Sequence, residues 1–241
     1  MNDISFSVAM AAFNGEKYIA EQIESILPQL RESDELVVSI NPSTDRTKDI
    51  VEWYRNKDHR IQISICNTPG VLANFENAIR QCKNEIIFLS DQDDVWAKEK
   101  VEKQLKKFGD ASIGGVCHGC KYIDGEGYLM EIQPEQGLNR EIKFWEILKK
   151  NPVQGSTLAF RKELTNYFLP FPKDIPMHDS WIGLWICSKS ELIYMNDPLL
   201  LYRQHEGTVT TRKHKSIRNM AIERLHLLQN YVKQTKKVYL S

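Results

Sequence analysis

The first hundred residues of the chain alternate between short apolar runs and segments of helical periodicity. The apolar runs at 5–10, 36–40, 61–65 and 86–89 predict strands, and the segments at 18–27, 50–54 and 72–79 predict helices. Strand, turn and helix repeated at this spacing form βαβ units, which assemble a mostly parallel sheet flanked by helices. The fully apolar run at 86–89 predicts a strand in the centre of that sheet.

The turns after these four strands predict where a ligand binds. Ligands of open α/β sheets bind outside the carboxyl ends of the strands. The segments at those ends are 11–15, 41–45, 67–70 and 90–96. We therefore expect these four segments to form one pocket.

The pattern changes after residue 110. The expected elements are strands at 115–123 and 157–160, a hairpin turn at 124–127, and helices at 144–148 and 181–187. The last thirty residues repeat apolar side chains on one helical face, formed by Ile217, Met220, Ala221, Leu225, Leu228 and Val232. This face predicts an amphipathic helical extension at the C-terminus.

Charge separates that extension from the rest of the chain. Lys plus Arg and Asp plus Glu number 32 each, and this balance gives no indication of a nucleic-acid partner. Residues 212–241 nevertheless hold eight Lys or Arg and one acid, so the tail carries +7 and residues 1–211 carry −7. Two interpretations of the tail stay open: a solvated helix packed on the domain, or a helix that associates with the surface of an anionic membrane.

Cysteine usage and the apolar runs indicate the compartment. No apolar run approaches the roughly 18–20 residues of a membrane span, and the Met1-Asn2-Asp3 start lacks the basic residues of a signal peptide. The five cysteines are an odd number without framework spacing. We therefore expect a cytoplasmic protein, peripheral on the inner face of the membrane if the tail binds there.

Cys117 and Cys120 show the spacing of a zinc or redox motif. No second pair with this spacing is present, and Cys187 alone does not complete a tetrahedral set. Alternating core positions on a strand explain these two cysteines better.

An acidic cluster follows the predicted central strand. Asp91, Asp93 and Asp94 repel one another unless a cation neutralises them. Mg²⁺ and Mn²⁺ take oxygen ligands, commonly one or two carboxylates together with substrate phosphates. The cluster therefore suits a metal–diphosphate site. The alternative is a solvated acidic turn, or an N-cap for a helix that begins near Ala97.

Five blocks of sequence, in order over residues 5–208, resemble family 2 glycosyltransferases. They are SVAMAAFNGEKY (7–18), STDRT (43–47), GVLANF (70–75) followed by FLSDQDDVW (88–96), MHDSW (177–181) and LYRQH (201–205). The third block is especially similar to the rhamnosyltransferase-type branch. The resemblance implies the GT-A fold, in which a Rossmann-like, nucleotide-sugar-binding half (1–110) merges with an acceptor-binding half (111–211).

The resemblance also implies roles in donor binding. Asp93 takes the position of a metal ligand, and Asp91 that of a residue near the metal and the donor's ribose or diphosphate. Phe13 takes the position of an aromatic residue that packs on the nucleotide base. The alternative role for Phe13 is core packing. Ala11 is expected to offer backbone contacts there, and Asn74 to contact the donor.

The later blocks imply the catalytic and acceptor residues. Asp179 falls where inverting members keep the general base, which must take a proton from the acceptor hydroxyl. Its alternative role is to cap the helix that begins near Trp181. His205 is expected to approach the metal or diphosphate, and its alternative is an ordinary surface histidine. The residues expected to shape the sugar and acceptor pockets are Trp96, Gly155, His178 and Trp181.

The chain departs from the family pattern at the base-binding end. Ile40 and Asn41 stand where two aspartates are usual, and Ala12 stands in place of a threonine. Asn41 can still accept a hydrogen bond from a pyrimidine N3–H, since its side chain carries a carbonyl oxygen. His118 and Gly119 replace a region where many relatives carry an aspartate beside the sugar.

We therefore expect an inverting, Mn²⁺- or Mg²⁺-dependent glycosyltransferase that uses a UDP- or dTDP-sugar. The expected acceptor is a glycan, free or linked to lipid or protein, in bacterial cell-surface polysaccharide or glycoprotein assembly. One competing hypothesis is a non-catalytic relative that binds a nucleotide sugar as a partner subunit. A second, a nucleotidyltransferase, would normally show a glycine-rich basic loop after the first strand, which residues 11–15 do not form.

Overall fold

A computed structural model describes residues 4–135, 137–206 and 217–240. The strands are β1 (Phe6–Ala12), β2 (Glu35–Ile40), β3 (Ile61–Ile65), β4 (Ile86–Asp91), β5 (Val95–Trp96), β6 (Ile113–Ile123), β7 (Arg140–Ile142), β8 (Ala159–Arg161) and β9 (Glu191–Arg203). The helices are α1 (Ile19–Ile26), α2 (Thr47–Lys57), α3 (Val71–Gln81), α4 (Lys100–Lys107), α5 (Phe144–Lys149), α6 (Thr165–Phe168), α7 (His178–Lys189) and α8 (Ile217–Leu240). Short 3₁₀ turns lie at Leu27–Gln29, Gly155–Thr157 and Lys162–Leu164.

The strands form one sheet in the order β3-β2-β1-β4-β8-β6-β9-β5, and β7 pairs with β9. The first four strands are mutually parallel, as the repeated strand–helix pattern predicted. β8 is antiparallel to both β4 and β6, whereas β6 and β9 are parallel. The expected α/β architecture with a mixed, mostly parallel sheet flanked by helices is confirmed.

Alternation along β1 and β6 divides the interior into two cores, one on each face of the sheet. Val8 and Met10 lie in the core under α1, while Ala9 lies in the core with α3 and α7. Cys117 and Cys120 are also divided, one into each core. Their sulfurs therefore face opposite sides of the sheet, which accounts for both residues by packing.

Three of the boundaries that differ from those expected lie near the acidic cluster or Asp179. β4 includes Asp91, so the first carboxylate of the acidic cluster lies at the strand end rather than after it. The strand expected at 157–160 begins only at Ala159, since residues before it form a 3₁₀ turn. The helix expected at Trp181 begins at His178.

The long strand β9 was missed because Asn196, Asp197 and Pro198 interrupt its apolar pattern. Its pairing with β6 shifts register between His118 and Gly119, opposite this interruption. A bulge of this kind accommodates a proline, which has no N–H to donate to the ladder. β9 then delivers Arg203 to the carboxyl edge of the sheet.

Helix α8 packs on the domain through a different face from the one the sequence pattern indicated. Leu227 is buried in the core that also holds residues of α7, and the Tyr231 ring contacts Phe144 and Trp185. Leu225 and Val232, from the predicted apolar face, are exposed. Residues 212–216 and 241 of the predicted extension lie outside the described residues. Within the described part of the chain, no helix has the length and apolarity needed to cross a bilayer.

A matched pair of substitutions tests this orientation of α8. Leu227→Ala should lower the free energy of unfolding by about 2–4 kcal/mol, because it leaves a cavity between α8 and the domain. Leu225→Ala, on the exposed side, should change it by less than about 0.5 kcal/mol. Urea denaturation of both variants measures the difference. Equal losses would mean that α8 does not dock through Leu227.

Candidate active site

The first and fourth strand-end segments are joined by the Gln92 side chain. Its Oε1 accepts from the Phe13 N–H at 2.8 Å, and its Nε2 donates to the Phe13 carbonyl at 2.8 Å. Gly15 makes room for this amide, since a Cβ there would lie 2.2 Å from Gln92 Oε1. The pair holds Phe13 beside the acidic cluster with its side chain 53% exposed. The core-packing alternative for Phe13 is therefore wrong.

The second and third segments join the same edge through side chain–backbone hydrogen bonds. Asn14, with φ 46°, accepts from the Thr44 N–H at 2.9 Å, and its own N–H donates to Ser43 Oγ at 3.1 Å. Asn41 Nδ2 donates to the carbonyls of Cys66 and Thr68 at 2.7 and 2.8 Å. All four predicted segments thus meet at one edge of the sheet.

Both N–H bonds of Asn41 go to carbonyl oxygens, which can only accept. This fixes the orientation of the amide and leaves Oδ1 as its acceptor. The geometry is compatible with the expected recognition of a pyrimidine N3–H.

Asp93 and His205 are brought together from distant parts of the chain. His205 Nε2 lies 3.0 Å from Asp93 Oδ2, and both side chains are partly exposed. The His205 ring also contacts the Tyr18 ring, with centroids 4.8 Å apart. The histidine is therefore part of the acidic site, as expected, rather than an isolated surface residue.

Arg203 connects the acidic cluster to two other elements. Its N–H donates to Asp94 Oδ1 at 3.0 Å, and its Nε donates to the Asp93 carbonyl at 2.9 Å. The buried guanidinium also pairs with Glu21 on α1 at 2.5 Å and donates to the Asp124 carbonyl. Asp94 is fully buried by these contacts. The cluster is accordingly a built structure and not a solvated acidic turn.

Burial and electrostatic repulsion both raise the pKa values of two carboxyl groups in the cluster, Asp91 and Asp94. Burial, followed by the charges of Asp93 and Asp179, raises the pKa of Asp91 to about 7. Burial, followed by the charges of Asp93 and Asp91, raises the pKa of Asp94 well above its usual range. A divalent cation would oppose both shifts because it stabilises the ionised forms.

Asp179 lies in the first turn of α7. It is close enough to the acidic cluster for its charge to raise the pKa of Asp91. Burial raises the pKa of Asp179 to about 6, although hydrogen bonds from the backbone N–H groups of Ser180 and Gly155 act in the opposite direction. Met177, not Asp179, occupies the N-cap position, so the capping alternative is wrong. A carboxylate with a pKa near 6 is suited to general-base catalysis.

His178 and Gly155 pack against each other next to Asp179. The buried His178 ring stacks on Phe75 at 4.0 Å between centroids. A Cβ on Gly155 would lie 2.5 Å from His178 Nε2, so glycine is needed for this approach. Burial lowers the pKa of His178 to about 3, which keeps the ring neutral.

Trp96 is packed inside the domain rather than open to a sugar. Its ring contacts Phe88, and the buried Lys100 ammonium lies 4.2 Å from the ring centroid. Lys100 Nζ donates to the Ser156 carbonyl at 2.7 Å, and burial lowers its pKa to about 7. The expected stacking of Trp96 on a sugar is therefore wrong, because its faces are covered.

Two further expectations are corrected by burial. Trp181 is fully buried, with Nε1 donating to the Phe168 carbonyl at 2.9 Å, so it belongs to the core and not to the acceptor pocket. The buried Asn74 accepts from Ser39 Oγ at 2.6 Å and donates to the Ala12 carbonyl at 2.9 Å. Its amide ties α3 to β1 and β2, which explains its place without a donor contact.

Ala11 lies within β1, in register with Ser39 on one side and Asp91 on the other. Its expected backbone contact with a donor stays a prediction.

The described residues include no group of three or more His, Cys, Asp or Glu side chains placed to hold a metal by themselves. Asp93 and His205 offer a carboxylate oxygen and an imidazole nitrogen 3.0 Å apart. Asp91 adds a nearby carboxylate that interacts electrostatically with Asp93. Mg²⁺ and Mn²⁺ are commonly bound by one or two carboxylates with substrate phosphates completing the coordination. The residues therefore fit a metal that binds together with a diphosphate.

Sequence reasoning missed the roles of Gln92, Arg203 and Lys100. Gln92 was visible only as the spacer between two aspartates, and Arg203 only as part of a matching block. Their roles depend on contacts with residues 79 and 109 positions away, which a local pattern does not reveal.

Residues 7–168 match the family model described as "Glycosyl transferase family 2". One curated relative, the "Putative teichuronic acid biosynthesis glycosyltransferase TuaG" of Bacillus subtilis (strain 168), is 27% identical over 92% of this chain and 90% of its own length. Another, the "dTDP-rhamnosyl transferase RfbG" of Shigella flexneri, is 29% identical over 82% of this chain and 72% of its own.

Solved structures share the fold. S. aureus TarS in complex with UDP-GlcNAc matches with a TM-score of 0.70 and 22% identity, covering 96% of this chain and 72% of that one. The mannosyltransferase PcManGT of Pyrobaculum calidifontis, in complex with GDP-Man and Mn²⁺, matches with a TM-score of 0.62 and 19% identity, covering 96% and 64%. The GT-A fold expected from the sequence blocks is confirmed.

A substitution at Gly155 tests whether its close packing against His178 positions Asp179. Gly155→Ala places a Cβ against the His178 ring, which must shift and move the start of α7. We expect overpacking to cost about 1–3 kcal/mol of stability and kcat for donor turnover to fall about 100-fold. Gly109→Ala is the matched control, since its Cβ would meet only ordinary contact distance. Unchanged kcat in Gly155→Ala would exclude this positioning role.

Proposed function

Because the chain belongs to glycosyl transferase family 2, we propose that it transfers a sugar from a nucleotide diphosphate donor to an acceptor hydroxyl, with inversion at the anomeric carbon. The observation that carries this proposal is the meeting of two groups at one edge of the sheet. The Asp93–His205 pair suits the diphosphate end of a donor, and Asp179 lies opposite as a half-buried base. Asp91 interacts electrostatically with Asp93 on one side and with Asp179 on the other.

The nucleotide is proposed to lie between the first and second strand-end segments. The exposed Phe13 ring offers an apolar face for the base, and Asn41 Oδ1 offers an acceptor for a pyrimidine N3–H. A uracil or thymine base presents this donor, whereas N3 of cytosine is an acceptor. The names of the similar proteins support such bases, since TarS binds UDP-GlcNAc and RfbG is a dTDP-rhamnosyl transferase. We therefore propose a UDP- or dTDP-sugar as donor.

Asp93, His205 and Asp91 are proposed to hold Mn²⁺ or Mg²⁺ together with the diphosphate. The Mn²⁺ in PcManGT supports a metal of this class. When bound, the cation offsets negative charge on the leaving diphosphate. Arg203 contributes by holding the Asp93 backbone and the Asp94 carboxylate in place, so that the metal-binding side chains are oriented before the donor arrives.

Asp179 is proposed to remove the proton from the acceptor hydroxyl as its oxygen attacks the anomeric carbon. The new C–O bond forms as the bond to the diphosphate oxygen breaks, and the diphosphate leaves with the electron pair. One displacement inverts the configuration and needs no covalent intermediate. The backbone N–H groups of Ser180 and Gly155 orient the carboxylate for this transfer.

The proposed acceptor is a glycan, free or linked to lipid or protein, in bacterial cell-surface polysaccharide or glycoprotein assembly. TuaG, named for teichuronic acid biosynthesis, supports this class of pathway. The competing hypothesis, a non-catalytic donor-binding subunit, is less well supported because Asp179 keeps a carboxyl group with a pKa raised to about 6 beside the acidic cluster, as a general base requires. The cytoplasmic setting that we propose rests on the cysteine pattern.

Asp179→Asn tests the catalytic assignment. The variant should lose about 10²–10⁴-fold in transfer while nucleotide-sugar binding stays near wild type, because only the proton acceptor is removed. Release of nucleotide diphosphate from the donor measures turnover, and calorimetry measures binding. Asp110→Asn, on the surface at the end of α4, serves as the control. Near-normal turnover of Asp179→Asn would exclude Asp179 as the base, whereas donor binding without turnover by the wild type would support the non-catalytic hypothesis.

The pH profile follows from the pKa of the same carboxyl. A base with a raised pKa of about 6 is ionised above that value and protonated below it. We therefore expect kcat/KM to decline as the pH falls through about 6, and to be nearly level just above it. A rate that stays constant well below this pH would exclude Asp179 as the base.

A thermal-shift panel tests the metal and the donor together. UDP- and dTDP-sugars should raise Tm only when Mn²⁺ or Mg²⁺ is present, and a chelator should abolish the shift. His205→Ala should reduce the metal-dependent shift. His59→Ala is the control and should leave the shift unchanged, because His59 pairs with Glu32 on the surface. A full shift in the presence of chelator would contradict the metal site.

A further inference from the structure

Helix α8 presents two different surfaces. Its inner surface lies on the domain, where Asn230 Nδ2 donates to Asp174 at 2.9 Å and Gln234 Nε2 donates to the Tyr167 carbonyl at 2.8 Å. Its outer surface carries Ile222, Leu225 and Val232, which are 42%, 53% and 46% exposed. Because the inner surface is already docked, the outer apolar side chains are available to a second partner.

The surroundings of these apolar side chains are basic. Among the α8 side chains that the structure describes, the exposed cationic residues are Arg224, Lys233, Lys236 and Lys237. Helix α5 lies against α8, since Arg224 donates to the Lys149 carbonyl, and adds exposed Lys149 and Lys150. α5 also exposes Trp145, whose side chain is 71% accessible. We name Ile222, Leu225, Val232, Trp145 and these six cations the outer basic surface.

We propose that the outer basic surface binds the surface of a bilayer that contains anionic phospholipid. Aliphatic side chains and a tryptophan beside lysines and arginines are the composition of a helix that lies in the membrane interface. The lysine and arginine stems reach past the apolar residues to lipid headgroups. α8 has 24 residues, or about 36 Å at 1.5 Å per residue, so it would lie along the surface over its full length.

Charge complementarity favours a bilayer over a second copy of the chain. A symmetric dimer through this surface would bring each cation to the same surface of its partner, where like charges repel. An anionic bilayer instead attracts each lysine or arginine that lies near its surface. This proposal goes beyond the proposed function and does not depend on it.

Docking through the outer basic surface would also orient the catalytic domain. Asp174, held by Asn230, precedes the start of α7, where Asp179 lies. Tyr167, held by Gln234, belongs to α6. α8 is thus attached to the segment that leads into the proposed base. The site would be held at a fixed orientation to the bilayer whenever α8 is bound.

The test uses the full-length chain, since deletion of α8 would uncover the rings against which Tyr231 packs. Vesicles of phosphatidylglycerol and phosphatidylcholine in equal parts, and vesicles of phosphatidylcholine alone, are mixed with the protein and floated. The apolar variant is Leu225→Glu with Val232→Glu, and the charge variant is Lys233→Glu with Lys236→Glu. Ile65→Glu, at a 48% exposed position on the opposite edge strand β3, is the matched apolar control.

We expect wild type and Ile65→Glu to float with the anionic vesicles and not with the neutral ones. Each double variant should bind the anionic vesicles at least about tenfold more weakly, since it loses apolar insertion or reverses two charges. Thermal unfolding of the variants should stay near wild type, because the altered side chains are exposed. Equal binding of all forms, or no binding by wild type, would overturn the proposal. A concentration-dependent dimer that the same variants dissolve, without vesicle binding, would replace the bilayer with a second copy.

Discussion

The candidate site depends on the buried guanidinium of Arg203. Asp91, Asp93 and Asp94 come from four consecutive residues at a strand end, where burial and the neighbouring charges raise the pKa values of Asp91 and Asp94. Arg203 reaches this cluster from the end of β9 and bonds to the Asp93 backbone, the Asp94 carboxylate and Glu21. One side chain therefore joins the acidic cluster, α1 and the strand that delivers His205. Through these bonds Arg203 helps to fix the positions of Asp93 and His205.

Much of the first half of the fold was predictable because its rules are local. Apolar runs of strand length separated by helical periodicity determine βαβ units, and the carboxyl ends of parallel strands must meet at one edge. β9 was not predicted because Pro198 interrupts its apolar pattern. Only the pairing with β6 shows that a bulge accommodates this proline. The motif positions Asp93, Asp179 and His205 came from resemblance, and the structure places them around one edge.

The residues that were assigned wrongly share a physical cause. Trp96, Trp181 and Asn74 belong to sequence blocks that adjoin the site, yet each is buried and its polar or aromatic faces contact the protein itself. Adjacency in sequence does not determine which way a side chain points. The same limit applies to α8, where Leu225 and Val232 of the predicted apolar face are exposed, because Asn230 and Gln234 bond to the domain on the other side.

The departures from the family pattern at the base-binding end have unequal consequences. Ile40 is buried in the core under α1 and α2, among residues such as Val38 and Val51, so an aspartate in this conformation would carry an unpaired buried charge. Ala12 is also buried, and its carbonyl accepts from the Asn41 N–H and from Asn74 Nδ2. Both changes therefore alter the interior and leave the ligand side to Asn41. Since carbonyl oxygens on two sides fix its amide, Asn41 retains an acceptor without the charge of aspartate. We infer that Asn41 binds the base more weakly than an aspartate would. It keeps the preference for a base that donates a hydrogen bond from N3.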